Sequence, residues 1–316
     1  MPIKQLLLAI ILLAALPAAA AGETVTLTDE GGRTIRFDQP FRRIISLYPG
    51  HTENLASLGL DREIVAIGHS DDFPPRLMDR PRVGYRDDPE RLLAQRPDLV
   101  LVRPMIDRAY PQLLAKLEQA GVTVVSLQPT AVDEIFSYWR QLGKLTGRQA
   151  AAEEMIAEFQ QQKAAIAAKV AEIPEEQRPR VFFSSIHRRM KTFAPQSIAI
   201  FVLESAGGRN IAADAPRVRQ TNIADYGKER LLAKGTEIDI FLAQQGRMNP
   251  VERETIINEP GFKAIKAVRQ GEVHLIDERL VSRPTMRLLT GMRRVGEILY
   301  PDRFPTAPAT PAGESK

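Results

Sequence analysis

Glu90-Arg91-Leu92-Leu93-Ala94-Gln95-Arg96-Pro97-Asp98-Leu99-Val100-Leu101-Val102 recurs late in the chain as Glu229-Arg230-Leu231-Leu232-Ala233-Lys234-Gly235-Thr236-Glu237-Ile238-Asp239-Ile240-Phe241-Leu242, with one extra residue in the turn. Each copy reads as a short helix that runs through a turn into an apolar strand. Unbroken apolar strands flanked by helices belong to parallel sheets covered on both faces. Two copies of the unit therefore predict two α/β lobes.

The chain around each copy carries the same alternation. Strands are expected at 43–47, 64–68, 99–102 and 122–125, with helices over 52–58, 89–95 and 110–119. Around the second copy, strands fall at 181–183, 238–242 and 273–276, and helices at 198–206, 228–233, 259–266 and 285–299. Ahead of both, residues 25–28 and 34–37 alternate apolar and polar around Asp29-Glu30-Gly31-Gly32, a β-hairpin pattern. Between 132 and 173 no strand signal occurs. There the stretch 148–171 is dense in Ala, Glu, Gln and Lys, with a thin apolar stripe through Met155, Ile156, Phe159 and Ile166. That favours helix by propensity and lacks the sustained heptads of a coiled coil. The expected architecture is two Rossmann-like α/β lobes joined by a single long helix. Its boundaries are an N-terminal lobe at 22–147, the inter-lobe helix at 148–172 and a C-terminal lobe at 173–304. A tail at 305–316, made of Pro, Ala, Thr, Gly and Ser without apolar period, is expected to be disordered.

Composition narrows the function classes. The 316 residues contain 43 Lys+Arg against 39 Asp+Glu, a balance that gives little support to nucleic-acid binding. The chain has no cysteine, which excludes disulfides, thiolate metal sites, iron–sulfur clusters and cysteine nucleophiles. Lys4, the apolar run Leu6 to Leu16, Pro17 and the small residues Ala18 to Gly22 predict a signal peptide over 1–21. The run is shorter than the ~20 residues that span a bilayer. With no cysteine to carry a lipid, the mature chain is expected free in a periplasm. Four scattered histidines are too few for a direct zinc or manganese site.

Glu90 and Glu229 open their helices, where the helix dipole favours a carboxylate by ~0.3–1 kcal/mol. Either one alone needs no further role. As a matched pair on two lobes, they would give one partner a symmetric pair of contacts.

The chain resembles the periplasmic substrate-binding proteins of ABC importers that carry iron–siderophores, haem and cobalamin. The likeness rests on Arg43-Ile44-Ile45-Ser46-Leu47-Tyr48-Pro49 with Thr52-Glu53 and Leu58-Gly59, Asp72-Phe73-Pro74-Pro75, Val83-Gly84, the two Glu units, and Ala206-Gly207-Gly208 with Asn210. It runs from about Arg42 to Pro301. It implies that Glu90 and Glu229 dock on the two subunits of an inner-membrane permease. It also implies that a small-molecule metal chelate lies between the lobes. The protein is expected to be a monomer with no cofactor of its own.

Ligands of α/β lobes bind beyond the carboxyl ends of strands. The candidates there are Tyr48, His51, His69, Tyr85, Arg103, His187, Arg188, Arg189, Lys191, Arg247 and Arg283. Cations dominate this set, and arginine suits carboxylate, catecholate or phosphate oxygens. An anionic ferric siderophore is therefore the first expectation. Tyr85 after Val83-Gly84, with His187 in the other lobe, leaves haem open through phenolate or imidazole ligation. Asp72-Phe73-Pro74-Pro75 resembles cobalamin carriers. Gly68-His69-Ser70-Asp71-Asp72 begins like a hydrolase nucleophile elbow but carries Asp72 at the closing glycine. No Walker or dinucleotide fingerprint follows a strand. The chain is thus expected not to be an enzyme; a secreted hydrolase or a ligand sensor are the competing classes.

Overall fold

The computed structural model describes residues 24–129, 131–219 and 221–305. The predicted signal peptide at 1–21 lies outside the described residues, as does the expected disordered tail beyond 305. Among the described residues no helix is long and apolar enough to cross a membrane.

The predicted hairpin forms from β1 (Val25–Thr28) and β2 (Thr34–Phe37), paired antiparallel. Next come β3 (Ile44–Ser46), α1 (Pro49–Ser57), β4 (Ile64–Gly68), β5 (Arg82–Val83), α2 (Pro89–Leu93), β6 (Leu99–Val102), α3 (Pro104–Ala109), α4 (Pro111–Gln119) and β7 (Thr123–Ser126). These strands make a wholly parallel sheet in the order β5-β4-β3-β6-β7. α1 starts earlier than expected because Pro49 takes the first helical position, where its fixed φ is already helical and its missing N–H costs nothing.

The strandless stretch is two helices, α5 (Asp133–Thr146) and α6 (Gln149–Ala168). Gly147 separates them in the left-handed region at φ 68°, where glycine carries no Cβ penalty. α6 packs on α5 and also on helices of the second half, described next.

That half comprises β8 (Arg180–Ile186), β9 (Lys191–Phe193), α7 (Ile198–Ser205), β10 (Arg209–Asn210), β11 (Ile223–Asp225), α8 (Lys228–Ala233), β12 (Ile240–Gln245), α9 (Arg253–Ile257), α10 (Lys266–Gln270), β13 (Val273–Asp277), α11 (Glu278–Val281) and α12 (Leu288–Leu299). Its sheet runs β11-β9-β8-β12-β13, with β10 beside β8. β8, β10, β12 and β13 are parallel, whereas β9 and β11 pair antiparallel. The reversal into β9 passes through Met190 at φ 48°. The helix expected over 259–266 does not form. Pro260-Gly261 interrupts it with Gly261 at φ 87°, leaving separate turns on either side.

α6 contacts α7 and α12. Its Met155, Ile156, Phe159 and Ile166 belong to one apolar core with Ile44, Leu55 and Trp139 on one side and Phe183, Leu203 and Met292 on the other. The thin stripe read in the sequence is therefore a seam joining two sheets.

Candidate ligand cleft and inter-lobe clasp

The parallel strands of the first sheet end at Leu47, His69, Gly84 and Arg103, and those of the second at His187, Gly246 and Glu278. A cavity of about 590 Å³, counted to its open mouth, lies beyond them. Leu47, Val83 and Tyr85 give it apolar walls, and His69, Arg86 and Arg247 supply polar and cationic groups. Arg247 comes from the second lobe and the others from the first.

Of the eleven expected ligand residues, His69, Tyr85 and Arg247 line this cavity. The Tyr85 ring stacks on Tyr110, with centroids 4.8 Å apart. Arg86 lies over Tyr85 at 5.8 Å and donates from Nε to the Tyr110 hydroxyl at 3.2 Å. Tyr48 is buried, and the Arg103 guanidinium covers its ring at 4.6 Å. The Arg103 Nε is buried without a hydrogen-bond partner. Arg188 and Arg189 are exposed on the turn after β8. Lys191 pairs with Asp225 at 2.7 Å, so its charge is already answered within the lobe.

His51 departs from the expectation. It sits inside α1 and is fully buried, with Nδ1 2.7 Å from the Tyr138 hydroxyl and Nε2 3.0 Å from the Val102 carbonyl oxygen. Burial drives its pKa down to about 3, so the ring is a neutral structural link. It offers no atom to a ligand.

Arg283 departs too. It bridges Glu53 Oε1 at 2.8 Å and Asp72 Oδ1 at 2.7 Å. Arg287 holds the same Glu53 through Nε at 2.8 Å and Nη2 at 2.6 Å, and Arg279 joins Asp277 to Asp72. Beside this network the Asn54 amide and the Trp139 indole N–H both donate to the Pro284 carbonyl, at 2.9 and 3.2 Å. Glu53, Asn54, Asp72 and Trp139 come from the first half, and the three arginines and Pro284 from the second. This ionic clasp was not read from the sequence. Thr52-Glu53 and the spacing Arg279, Arg283, Arg287, one helical turn apart, were its only signals. The cavity residues absent from the expected ligand set were Leu47, Gly68, Ser70, Val83, Gly84 and Arg86.

Glu90 and Glu229 are exposed, each the second residue of its helix, α2 and α8. Ser70 lines the cavity, and among the described residues no hydrogen bond joins it to a histidine, so no nucleophile–base pair is assembled there.

Two sheets joined through one apolar seam, with a cleft beyond their carboxyl ends that draws residues from both, define a two-lobed solute-binding protein. The chain belongs to the periplasmic binding protein family, whose sequence model matches residues 44–280. It is 24% identical over 283 residues to an uncharacterised ABC transporter substrate-binding lipoprotein of Bacillus subtilis, covering 89% of this chain and 87% of that one. It is 26% identical over 262 residues to the vitamin B12-binding protein of Vibrio cholerae, covering 81% and 88%. Among solved structures it resembles a haem-binding periplasmic protein of Roseiflexus, with a TM-score of 0.69 at 23% identity, covering 83% and 99%. The chain is thus a substrate-binding protein of the siderophore, B12 and haem family of ABC importers. These relatives are binding proteins rather than enzymes.

Proposed function

We propose that this protein captures an anionic metal chelate, with a ferric siderophore as first choice, between a lobe at 22–147 and a lobe at 173–304. It would then deliver the chelate to an ABC permease through Glu90 and Glu229. The observation that carries the ligand reading is the cavity at which Arg86 and Arg247 approach from opposite lobes. Cations converging on one concave site focus a positive potential and favour an anion. Arg188 and Arg189 extend that potential along the second lobe. In this reading the mature protein works as a monomer in a periplasm.

The test is titration of the mature protein with ferrichrome, a ferric catecholate, haemin and cyanocobalamin, followed by intrinsic fluorescence. Arg247→Ala should weaken binding of the preferred chelate by about tenfold, the loss of one charge-assisted contact. Unchanged affinity would overturn the assignment. A haem reading is favoured by one observation, the Tyr85 phenol on the cavity wall. A Soret band with haemin that is lost in Tyr85→Phe would replace the first choice. The B12-binding relative keeps cyanocobalamin in the panel. For docking, the pair Glu90→Lys and Glu229→Lys should abolish transport while leaving ligand affinity unchanged. Lost affinity with intact permease binding would refute it.

A further inference from the structure

In each lobe a histidine, a carboxylate and a cation stand in line toward the helix that carries the exposed glutamate, and in the first lobe the line starts at the cleft. In the first lobe, His69 Nε2 lies 3.1 Å from Asp87 Oδ2, and Arg91 approaches the same oxygen at 3.7 Å. Asp87 also accepts from the Gly84 N–H at 2.9 Å. A Cβ at Gly84 would stand 2.7 Å from His69 Cδ2, so glycine is what lets the ring settle there. His69 and Gly84 line the cavity, whereas Arg91 sits on α2 directly after Glu90.

The second lobe holds a looser counterpart, whose histidine lies outside the cavity lining. His187 Nε2 lies 3.8 Å from Glu259 Oε2, and Glu259 Oε1 accepts from Lys228 Nζ at 2.6 Å. Lys228 is on α8 directly before Glu229. His187 is only 4% exposed, set edge-on to Phe241 and Phe262, and neither ring nitrogen has a hydrogen-bond partner. Its backbone N–H is held by Asn249 Oδ1 at 2.8 Å. It opens the turn that exposes Arg188 and Arg189, and that turn closes through Met190, whose carbonyl accepts from the Gly227 N–H at 3.1 Å. A gap of 3.8 Å is too long for a hydrogen bond and needs about 1 Å of movement to become one.

We propose that Asp87 and Glu259 are positioning residues that couple His69, on the cavity wall, and the buried His187, at the base of the Arg188–Arg189 turn, to the first turns of α2 and α8, so that a change at His69 or His187 is felt at Glu90 and Glu229. His69 is the cleft-side end of the first bridge and the buried His187 the inner end of the second; in each the carboxylate is the centre and the cation the helix-side end. The charged groups facing His187 are Glu259, between α9 and α10, and Lys228 on α8. Those around His69 are Asp87 and, in the shared cavity, Arg86 and Arg247. Burial pushes the His187 imidazole below its usual range, with Lys228 adding to this and Glu259 opposing it. A neutral ring poised beside a carboxylate has room to respond. The coupling takes its use in transport from the docking reading above.

The test uses the isolated full chain without permease or chelate, so that its outcome is independent of docking. Proton–nitrogen correlation spectra recorded against pH should show the Glu90 amide shifting with the His69 ring and the Glu229 amide with the His187 ring. Asp87→Asn should uncouple Glu90 alone and Glu259→Gln should uncouple Glu229 alone. The charge-retaining Glu259→Asp should restore the second. Amides that do not move at the histidine midpoints, or that follow them equally in the uncharged variants, overturn the proposal. Hydrogen exchange at pH 7 provides a second reading: Glu259→Gln should speed exchange across α8 by about tenfold and leave α2 unchanged. Equal acceleration of both helices would show general loosening and sink the idea. The docking reading fails separately, if the double charge reversal at Glu90 and Glu229 leaves transport intact.

Discussion

Replacing Glu53 with glutamine isolates the energy of the clasp. Glu53 is 3% exposed on α1 and uses both carboxylate oxygens on two guanidiniums of the other half. Glutamine keeps the shape, but its amide turns two N–H groups toward arginines that themselves can only donate. Arg283 and Arg287, 13% and 19% exposed, are then left under-compensated. Removing one member of a buried ion pair costs ~3–5 kcal/mol, because the remaining charge stays desolvated. Arg283 keeps Asp72 at 2.7 Å, which argues for the lower end. At about 3 kcal/mol, and ~2–4 °C per kcal/mol for a chain of this size, Tm should fall by roughly 6–12 °C. Calorimetry measures the fall, and Trp139 reports where it happens, since its indole N–H spans the same joint to Pro284. A double-mutant cycle with Arg287→Gln should return a coupling of about 2 kcal/mol. A Tm drop under about 3 °C, or additive effects in the cycle, would show that the joint is held by apolar packing through α6 instead.

Two further predictions concern buried groups. Burial pushes Asp71 up to about 7, against the opposing bonds from Thr52 and the backbone at Gly68, and burial pushes Glu30 up to about 7 as well. A folded-state value above the unfolded one means that the native state holds more protons between about pH 4 and 7, so stability falls as pH rises through that window and levels above it. Asp71→Asn should flatten part of this slope and Glu30→Gln another part; parallel Tm–pH curves for wild type and both variants would contradict it. Gly291→Ala in α12 places a Cβ 2.1 Å from the Leu280 carbonyl oxygen, a backbone atom that cannot swing away. Overpacking of this kind costs ~1–3 kcal/mol, so urea midpoints should drop clearly, and an unchanged midpoint would mean that α11 and α12 are free to separate.

The α/β alternation was legible because strands buried on both faces must be written as unbroken apolar runs. Leu99-Val100-Leu101-Val102 leaves no other reading, and its residues are all buried. β9, β10 and β11 were not legible. Lys191-Thr192-Phe193, Arg209-Asn210 and Ile223-Ala224-Asp225 are too short and too polar to announce themselves; the first two form on the edge that β8 supplies, and the third forms on β9. The ends of helices followed local rules, as at Gly147 and Gly261. Site residues were harder for a different reason. Being placed after a strand brings a side chain to the right end of the sheet, but whether it faces the cleft or the joint depends on contacts across hundreds of positions. His51 and Arg283 met those criteria and were claimed by Tyr138, Glu53 and Asp72.

That division bears on the ligand. The second half brings Arg279, Arg283 and Arg287 toward the first, and a count of cations at strand ends would credit all three to the cleft. Their charge is matched instead by Glu53, Asp72 and Asp277 within the clasp, and the Asp72 carboxyl is held below its usual range by Arg283 once burial is overcome. Arg247, Arg188 and Arg189 remain on the second lobe, with Arg86 and Arg103 on the first, and no ion pair to a carboxylate is formed by any of these among the described residues. Arg103 even keeps a buried Nε without a partner. The positive field available to a solute is therefore carried by residues that flank the cavity rather than by the closing segment before α12. A chelate recognised by charge should place its anionic groups toward Arg247 and Arg86 and present its less polar face to Leu47, Val83 and Tyr85. Salt should then weaken binding in proportion to those contacts while leaving the Glu53 pairs with Arg283 and Arg287, which are largely sheltered from solvent, nearly untouched.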